Sequence, residues 1–284
     1  MKRTQRGLIL RVTPYKDSDR LLTILLEDGR KLTANARGAE RRGSSLAAAC
    51  QFLRFGSFET FTYRDKTTVD EAAVELSFEG VEKDLLKLSL AVYLCEMLER
   101  LSDADVPGSD LLKLGLHTLY TLSETDRPPE LMKAVFEWRA AAVGGFEPNL
   151  ASCIGCGEEK ASGYLSVRGG DFLCEDCARS GRGTDFGAAE PLAPGVLRAI
   201  RHAISSNFKK LFSFSLKDRS LETFCRVGES YLVDKLDYYP KSLRFYHGMA
   251  GRPDMKPPDG KKEVPEDKSP ESASDGQEKA PDLN

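Results

Sequence analysis

The chain lacks any long apolar run. Its longest stretch without a charged residue is Gly43–Leu53, 11 residues rich in Ala, Ser and Gly, whereas a membrane span needs about 18 or more apolar residues. The opening Met1-Lys-Arg-Thr-Gln-Arg-Gly has no apolar h-region and no small-residue cleavage site, so no secretory signal is read and a cytoplasmic chain is expected. Several catalytic signatures are missing as well. No G-x-x-x-x-G-K-[ST] loop is present to cradle phosphates, and neither G-x-S-x-G nor H-E-x-x-H occurs. There are only three histidines, His117, His202 and His247, and none lies near a cysteine, which removes the zinc-deaminase signature. Asp17 and Asp19 form a near pair without a third carboxylate beside them, a pattern that fits a turn better than two-metal chemistry. The expectation is a protein that is not an enzyme.

What remains is ample for a packed protein. The 284 residues are 40% apolar and 30% charged, enough for about two domains. The net charge of −3 hides an asymmetry. Residues 1–64 hold 13 Lys/Arg against 6 Asp/Glu, residues 65–247 hold 22 against 29, and residues 248–284 hold 6 against 9. A basic N-terminal segment on an acidic body points to a local polyanion site, with an ordinary solvated surface as the plain alternative.

Residues 6–76 read as five short strands: Leu8–Thr13, Leu21–Leu26, Lys31–Arg37, Phe52–Tyr63 broken at Gly56, and Thr67–Ser77. Leu32, Ala34 and Ala36 alternate with Lys31, Thr33, Asn35 and Arg37, so one face of that strand is apolar and the other polar. Five strands in so short a span suggest a small closed barrel of the OB type, with an SH3-like barrel as the rival. A helix is conceivable near Ser44–Cys50. Beyond residue 80 the apolar period becomes helical, over Asp84–Leu101, Asp110–Ser123, Pro128 to Gly144, 194–206 and 217–237. After Gly248 aromatics vanish and Pro, Lys, Asp, Glu, Ser and Gly dominate, a composition too polar to offset its ordering entropy. The expected organisation is an OB-fold barrel over 1–79, a helical domain over 80–149 and 181–247, a four-cysteine insert over 150–180 and a disordered acidic tail over 248–284.

The sharpest local signal is Cys153-Ile-Gly-Cys156 with Cys174-Glu-Asp-Cys177. Two C-x2-C turns separated by 17 residues have the spacing of a structural zinc site, because each turn presents two sulfurs to one ion. Four thiolates would fill a tetrahedron and leave no position for water, so one structural Zn2+ is expected. The polar, glycine-rich stretch between the pairs suggests that the metal carries much of the insert's folding free energy. Cys50, Cys95 and Cys225 sit in apolar stretches and read as core.

Two features draw attention to the N-terminal charge. Lys31 and Arg37 lie on the polar face of one strand, and the loop Arg37-Gly-Ala-Glu-Arg-Arg-Gly-Ser-Ser follows directly. Cations along a groove, with glycine where chains approach closely, suit a phosphate backbone. Arg11, Arg20, Arg30, Lys31, Arg37, Arg41 and Arg42 are the candidate nucleic-acid contacts. Among Phe52, Phe55, Phe58, Phe61 and Tyr63 most are expected in the barrel core, with one or two free to stack on bases.

Several stretches, in order, resemble the bacterial RecO family of recombination mediators. They are Gly7-Leu-Ile-Leu-Arg-Val-Thr-Pro-Tyr-Lys-Asp-Ser-Asp-Arg-Leu-Leu-Thr, Gly29-Arg-Lys-Leu-Thr-Ala-Asn-Ala-Arg-Gly-Ala-Glu-Arg-Arg before Ser45-Leu, Asp84-Leu-Leu-Lys-Leu-Ser-Leu-Ala-Val-Tyr-Leu, the position of the cysteine insert, and Lys241-Ser-Leu-Arg-Phe-Tyr. The likeness spans about residues 6–246. One departure is Cys174-Glu-Asp-Cys177 in place of Cys-Pro-x-Cys, and it spares every sulfur ligand. The resemblance implies binding of single- and double-stranded DNA and annealing of strands coated with single-strand-binding protein (SSB). It further implies contact with the SSB C-terminal tail, loading of RecA at gaps together with RecR, and a place at the nucleoid. An RNA-binding OB and zinc-ribbon protein of translation or transcription is the alternative that the same barrel and cysteines allow. A DNA-processing nuclease and a scaffold gripping an acidic protein tail are two more.

Overall fold

The computed structural model describes residues 1–182 and 186–251. Five strands come first: β1 (Lys2–Tyr15), β2 (Asp19–Leu26), β3 (Lys31–Ala36), β4 (Phe55–Tyr63) and β5 (Lys66–Leu76). They close into a barrel of order β1-β2-β3-β5-β4. β1 pairs antiparallel with both β2 and β4, and closure comes from the one parallel pairing, β3 with β5 at Asn35↔Thr68. This is an OB-like barrel, as the strand count suggests. Its interior holds Ile9, Leu22, Ile24, Ala34, Ala36, Phe58 and Val69, the inward positions of alternating strands.

Two barrel readings need correction. The Phe52–Tyr63 run becomes strand only at Phe55, after Leu53, whose φ of 61° ends the preceding turn, and the break expected at Gly56 is a register shift of the β4–β5 pairing between Phe55 and Gly56. Leu53 N–H donates to the Ile9 carbonyl while Ile9 N–H donates to Arg54, so that kink is stitched to β1. Gly56 lies within the strand: a Cβ there would stand 2.0 Å from the Ala73 carbonyl oxygen, so its place is set by close strand approach. The Ser44–Cys50 segment forms turns and no helix. The Ala47 and Cys50 carbonyls accept from the Arg20 guanidinium at 3.2 and 3.1 Å, and such side-chain partners take the place of a continuing helical ladder.

The rest is mainly helical: α1 (Glu79–Glu82), α2 (Leu85–Leu101), α3 (Ser109–Glu124), α4 (Pro129–Val143), α5 (Glu175–Arg179), α6 (Pro194–Ser205), α7 (Asp218–Leu236) and α8 (Lys241–Met249). Asp84 caps α2, its Oδ1 accepting from Leu86 and Lys87 N–H at 2.9 and 3.1 Å. Three short strands, β6 (Gly163–Ser166), β7 (Phe172–Cys174) and β8 (Ala189–Leu192), form a second sheet of order β7-β6-β8. β8 lies past residue 180, where the sequence reading ends the cysteine insert. Leu165, Phe172, Leu173 and Leu192 join the same core cluster as the helices. The insert therefore shares the body's apolar core. α8 continues through Met249, taking in the first two residues of the segment read as tail. Gly248 does not break it, because it sits on an open face where an added Cβ meets nothing within 4 Å. Residues 252–284, the rest of that segment, lie outside the described residues. Among the described residues no helix is long and apolar enough to cross a membrane.

Barrel and helices meet through backbone as well as side chains. Lys31 N–H donates to the Asp103 carbonyl at 2.7 Å and Gly108 N–H to the Asp28 carbonyl at 3.0 Å. A Cβ on Gly29, whose φ is 82°, would fall 1.9 Å from the Gly108 oxygen, so glycine is required at that junction.

Charge also lies deep among the helices. Lys133 Nζ stands 2.7 Å from Glu137 Oε1 and 2.6 Å from Glu229 Oε2. Tyr93 OH donates to Glu137 at 2.7 Å, and His247 Nε2 lies 2.9 Å from Glu229 Oε2. All five are polar, ionisable groups, and proteins seldom bury such groups unpaired. The group joins α2, α4, α7 and α8.

Candidate nucleic-acid interface and metal centre

The four cysteines of the two C-x2-C turns converge. All four sulfurs lie within 4.8 Å of one another, with Cys156 and Cys174 Sγ 4.0 Å apart. A tetrahedral tetrathiolate site with bonds of about 2.3 Å needs sulfurs roughly 3.8 Å apart, so the arrangement fits one ion with little adjustment. The seven cysteines are all free thiols, without a disulfide. Backbone N–H groups point at the sulfurs: Gly155 and Cys174 donate to Cys153 Sγ at 3.3 and 3.2 Å, and Cys177 donates to Cys174 Sγ at 3.5 Å. Burial would push the Cys153 thiol up, but these N–H groups outweigh it and hold it at about 6. Burial pushes Cys177 up to about 12. A metal ion would have to displace that proton, the usual coupling of metal binding to deprotonation. Gly155 is sterically required, since its Cβ would stand 2.9 Å from Cys177 Sγ, and Gly157 turns the first knuckle with φ 75°.

The second feature is a cleft on the barrel. Two adjoining hollows of about 590 and 530 Å³ share Arg37, Gly38 and Arg41. The first adds Arg42, Gly43 and Ser44, and the second adds Tyr15, Lys16 and Lys66. Arg37, Arg42 and Lys66 carry no ion pair or side-chain hydrogen bond among the described residues, and Arg41 uses only Nε, toward Ser18 Oγ at 3.2 Å. These are exposed cations with free donors, grouped where the β3–β5 pairing closes the barrel. Asp19 sits among them, and the Gly38 N–H on its carboxylate, with Asn35 adding a second bond, holds it below the usual carboxylate range.

The structure divides the seven cations singled out from sequence. Arg37, Arg41 and Arg42 come together in the cleft. Arg11 instead pairs with Glu99 at 2.8 Å, and Lys31 Nζ donates to the Glu99 carbonyl at 3.1 Å, both against α2. Arg30 pairs with Asp28 within its own hairpin. Arg20 is turned inward to Ala47, Cys50 and Glu40. Lys16 and Lys66 were missed, because one stands in the β1–β2 turn and the other at the start of β5, and only barrel closure brings them to Arg37. Of the aromatics, Phe55 and Phe58 are buried, whereas Phe61 and Tyr63 are exposed at 40% and 63%. Tyr15, also exposed, lines the cleft beneath Lys16, whose Nζ is 5.5 Å from its ring centroid.

Comparison with known proteins gives two family matches. The model described as "Recombination protein O N terminal" matches residues 1–78, and that described as "Recombination protein O C terminal" matches residues 82–244. Among curated relatives, the DNA repair protein RecO of Acetivibrio thermocellus is 32% identical over 240 residues, 84% of this chain and 94% of that protein. The protein of the same name from Symbiobacterium thermophilum is 28% identical over 243 residues, 84% and 94% of the two chains. That of Bacillus subtilis is 27% identical over 244 residues, 86% and 93%.

Proposed function

Because the chain belongs to the RecO family of DNA repair proteins, we propose that it is a non-enzymatic recombination mediator. In this reading it binds single- and double-stranded DNA and anneals complementary strands coated with SSB. With RecR, and through contact with the SSB C-terminal tail, it helps load RecA at gaps. The chain divides into barrel, helical body and cysteine insert, and one structural Zn2+ sits on Cys153, Cys156, Cys174 and Cys177.

The observation that carries the reading is the cleft of unpaired cations, Arg37, Arg41, Arg42, Lys16 and Lys66, on a closed barrel. Such a cleft grips sugar–phosphate without reading bases, which annealing of arbitrary sequence requires. Tyr15, which lines the cleft, and the exposed Phe61 and Tyr63 on β4 offer faces on which unpaired bases can stack. A tetrathiolate ion has no open position, so its part is to hold the insert against the helices.

The test is charge reversal. The double variant Arg41→Glu/Arg42→Glu should weaken binding to oligonucleotides of every sequence alike, by about hundredfold at low salt if each lost charge-assisted contact is worth about tenfold. The slope of log affinity against log salt should fall by about 1.4 on single strands, at about 0.7 per phosphate. Fluorescence anisotropy across a salt series reads both, and an unchanged affinity and slope would remove the cleft from the DNA path. Annealing of SSB-coated complementary strands without ATP, measured on the same protein, tests the mediator activity itself.

A further inference from the structure

Three consecutive residues hold the cationic loop from below. Asp19 Oδ1 accepts the Gly38 N–H at 2.8 Å, and its Oδ2 accepts Asn35 Nδ2 at 3.2 Å. The Ser18 carbonyl accepts the Glu40 N–H at 3.0 Å, and the Ser18 hydroxyl accepts Arg41 Nε at 3.2 Å. Arg20 secures the far end through the Ala47 and Cys50 carbonyls. Gly38 has φ 64°, so the chain reverses there in a conformation few residues adopt, and its N–H needs a partner in that place.

We infer that Asp19 is a positioning residue of the polyanion cleft: its carboxylate latches the Arg37–Gly38 turn so that Arg37 and Arg41 are preset toward the ligand. The inference rests on the cleft being the DNA site. It runs against simple electrostatics. A carboxylate on the rim of a phosphate-binding cleft repels the ligand, so deleting it should tighten binding. Asp17 is the natural control. It lines the same hollow two residues away, is exposed, and has no side-chain hydrogen bond or ion pair among the described residues. Deleting Asp17 changes the charge alone, whereas deleting Asp19 changes the charge and releases the turn. A preset loop binds better because the cost of ordering its arginines is met on folding.

The experiment compares full-length Asp17→Ala, Asp19→Ala and Asp19→Asn with the unaltered chain on a fluorescent oligo-dT across a salt series. Asp17→Ala should bind about twofold tighter, as expected of one screened charge. Asp19→Ala should bind roughly tenfold weaker, with a salt slope lower by about 0.7, the signature of one lost phosphate contact. A general loss of stability would not lower that slope. Asp19→Asn carries the same charge as the alanine variant but keeps an oxygen for the Gly38 N–H, so it should recover most of the affinity. Asp19→Ala binding as tightly as Asp17→Ala, or Asp19→Asn as weakly as Asp19→Ala, would overturn the latch. If Arg41→Glu/Arg42→Glu also bound normally, the cleft itself would fall and the latch with it; normal loss in that double variant confines the failure to Asp19.

Discussion

Lys133→Ala is expected to destabilise the helical body by about 3–5 kcal/mol, the usual cost of removing one partner from a buried ion pair. The substitution deletes the only cation that, among the described residues, both Glu137 and Glu229 touch, at 2.7 and 2.6 Å. It leaves two carboxylates in an apolar setting beside Tyr93 and His247. Ordinary helix propensity points the other way, since alanine is the better helix former by a few tenths of a kcal/mol. The desolvation term decides because it is about ten times larger. Denaturant unfolding reads the loss, and a change below about 1 kcal/mol would mean that the group is solvated in solution. Lys133→Met combined with Glu137→Gln and Glu229→Gln should recover much of it, since neutral groups of similar shape need no counter-ion.

The same group gives the chain a pH dependence of stated sign. Burial pushes the Glu137 carboxyl up against the pull of Lys133, and the Glu229 carboxylate adds to the rise, leaving it at about 7 against an ordinary 4.5. A raised folded pKa means that the folded state holds the proton more tightly. Its contribution is fully present below about 4.5 and is lost as pH rises through about 7. Burial alone would raise Glu229 too, but Lys133 and His247 outweigh it and hold it at about 2. That contribution is present above about 4.5 and is lost as pH falls toward 2. Stability should therefore decline between pH 5 and pH 8, and Glu137→Gln should flatten the decline. A profile identical in the two proteins would exclude Glu137 as its source.

This buried group also marks the limit of what sequence pattern carries. A lysine and a glutamate at i and i+4, such as Lys133 and Glu137, read as a solvated helix pair. Their burial depends on α7 and α8 bringing Glu229 and His247 from about a hundred residues away. Strands with alternating faces and helices with a strong apolar period were legible, because one side of each is dictated by burial: β3 and α2 differ from their expected bounds by one residue. β6, β7, β8 and α5 have three to five residues each and too few positions for a period to register. The grouping of the four cysteines was legible because two short C-x2-C turns fix most of its geometry locally. The cleft was legible only in part. Its loop cations are contiguous in sequence, but Lys16 and Lys66 reach them through strand closure, and Arg11 and Lys31 are drawn off by Glu99 on α2.

Removal of the proposed zinc is the other change expected to have a large effect, and the shared core determines its shape. In isolated zinc-finger peptides the ion supplies about 10–16 kcal/mol and its loss unfolds the whole unit. Here Leu165, Phe172 and Leu173 are packed into the same cluster as α4 and α7, so a metal-free insert keeps an apolar anchor. What it loses is the thiolate centre on which the N–H groups of Gly155, Cys174 and Cys177 converge. Protonated or repelling sulfurs within 4.8 Å cannot replace it. Cys153→Ser/Cys156→Ser should bring bound zinc from about one ion per chain to near zero by elemental analysis. Amide exchange should rise sharply over residues 150–180 and the adjoining β8, while protection of the barrel strands stays unchanged. Because the cleft lies on the barrel, oligonucleotide affinity should change by less than about twofold. Full zinc occupancy in the variant would exclude these cysteines as the ligands, and lost barrel protection would mean that the insert supports the whole chain.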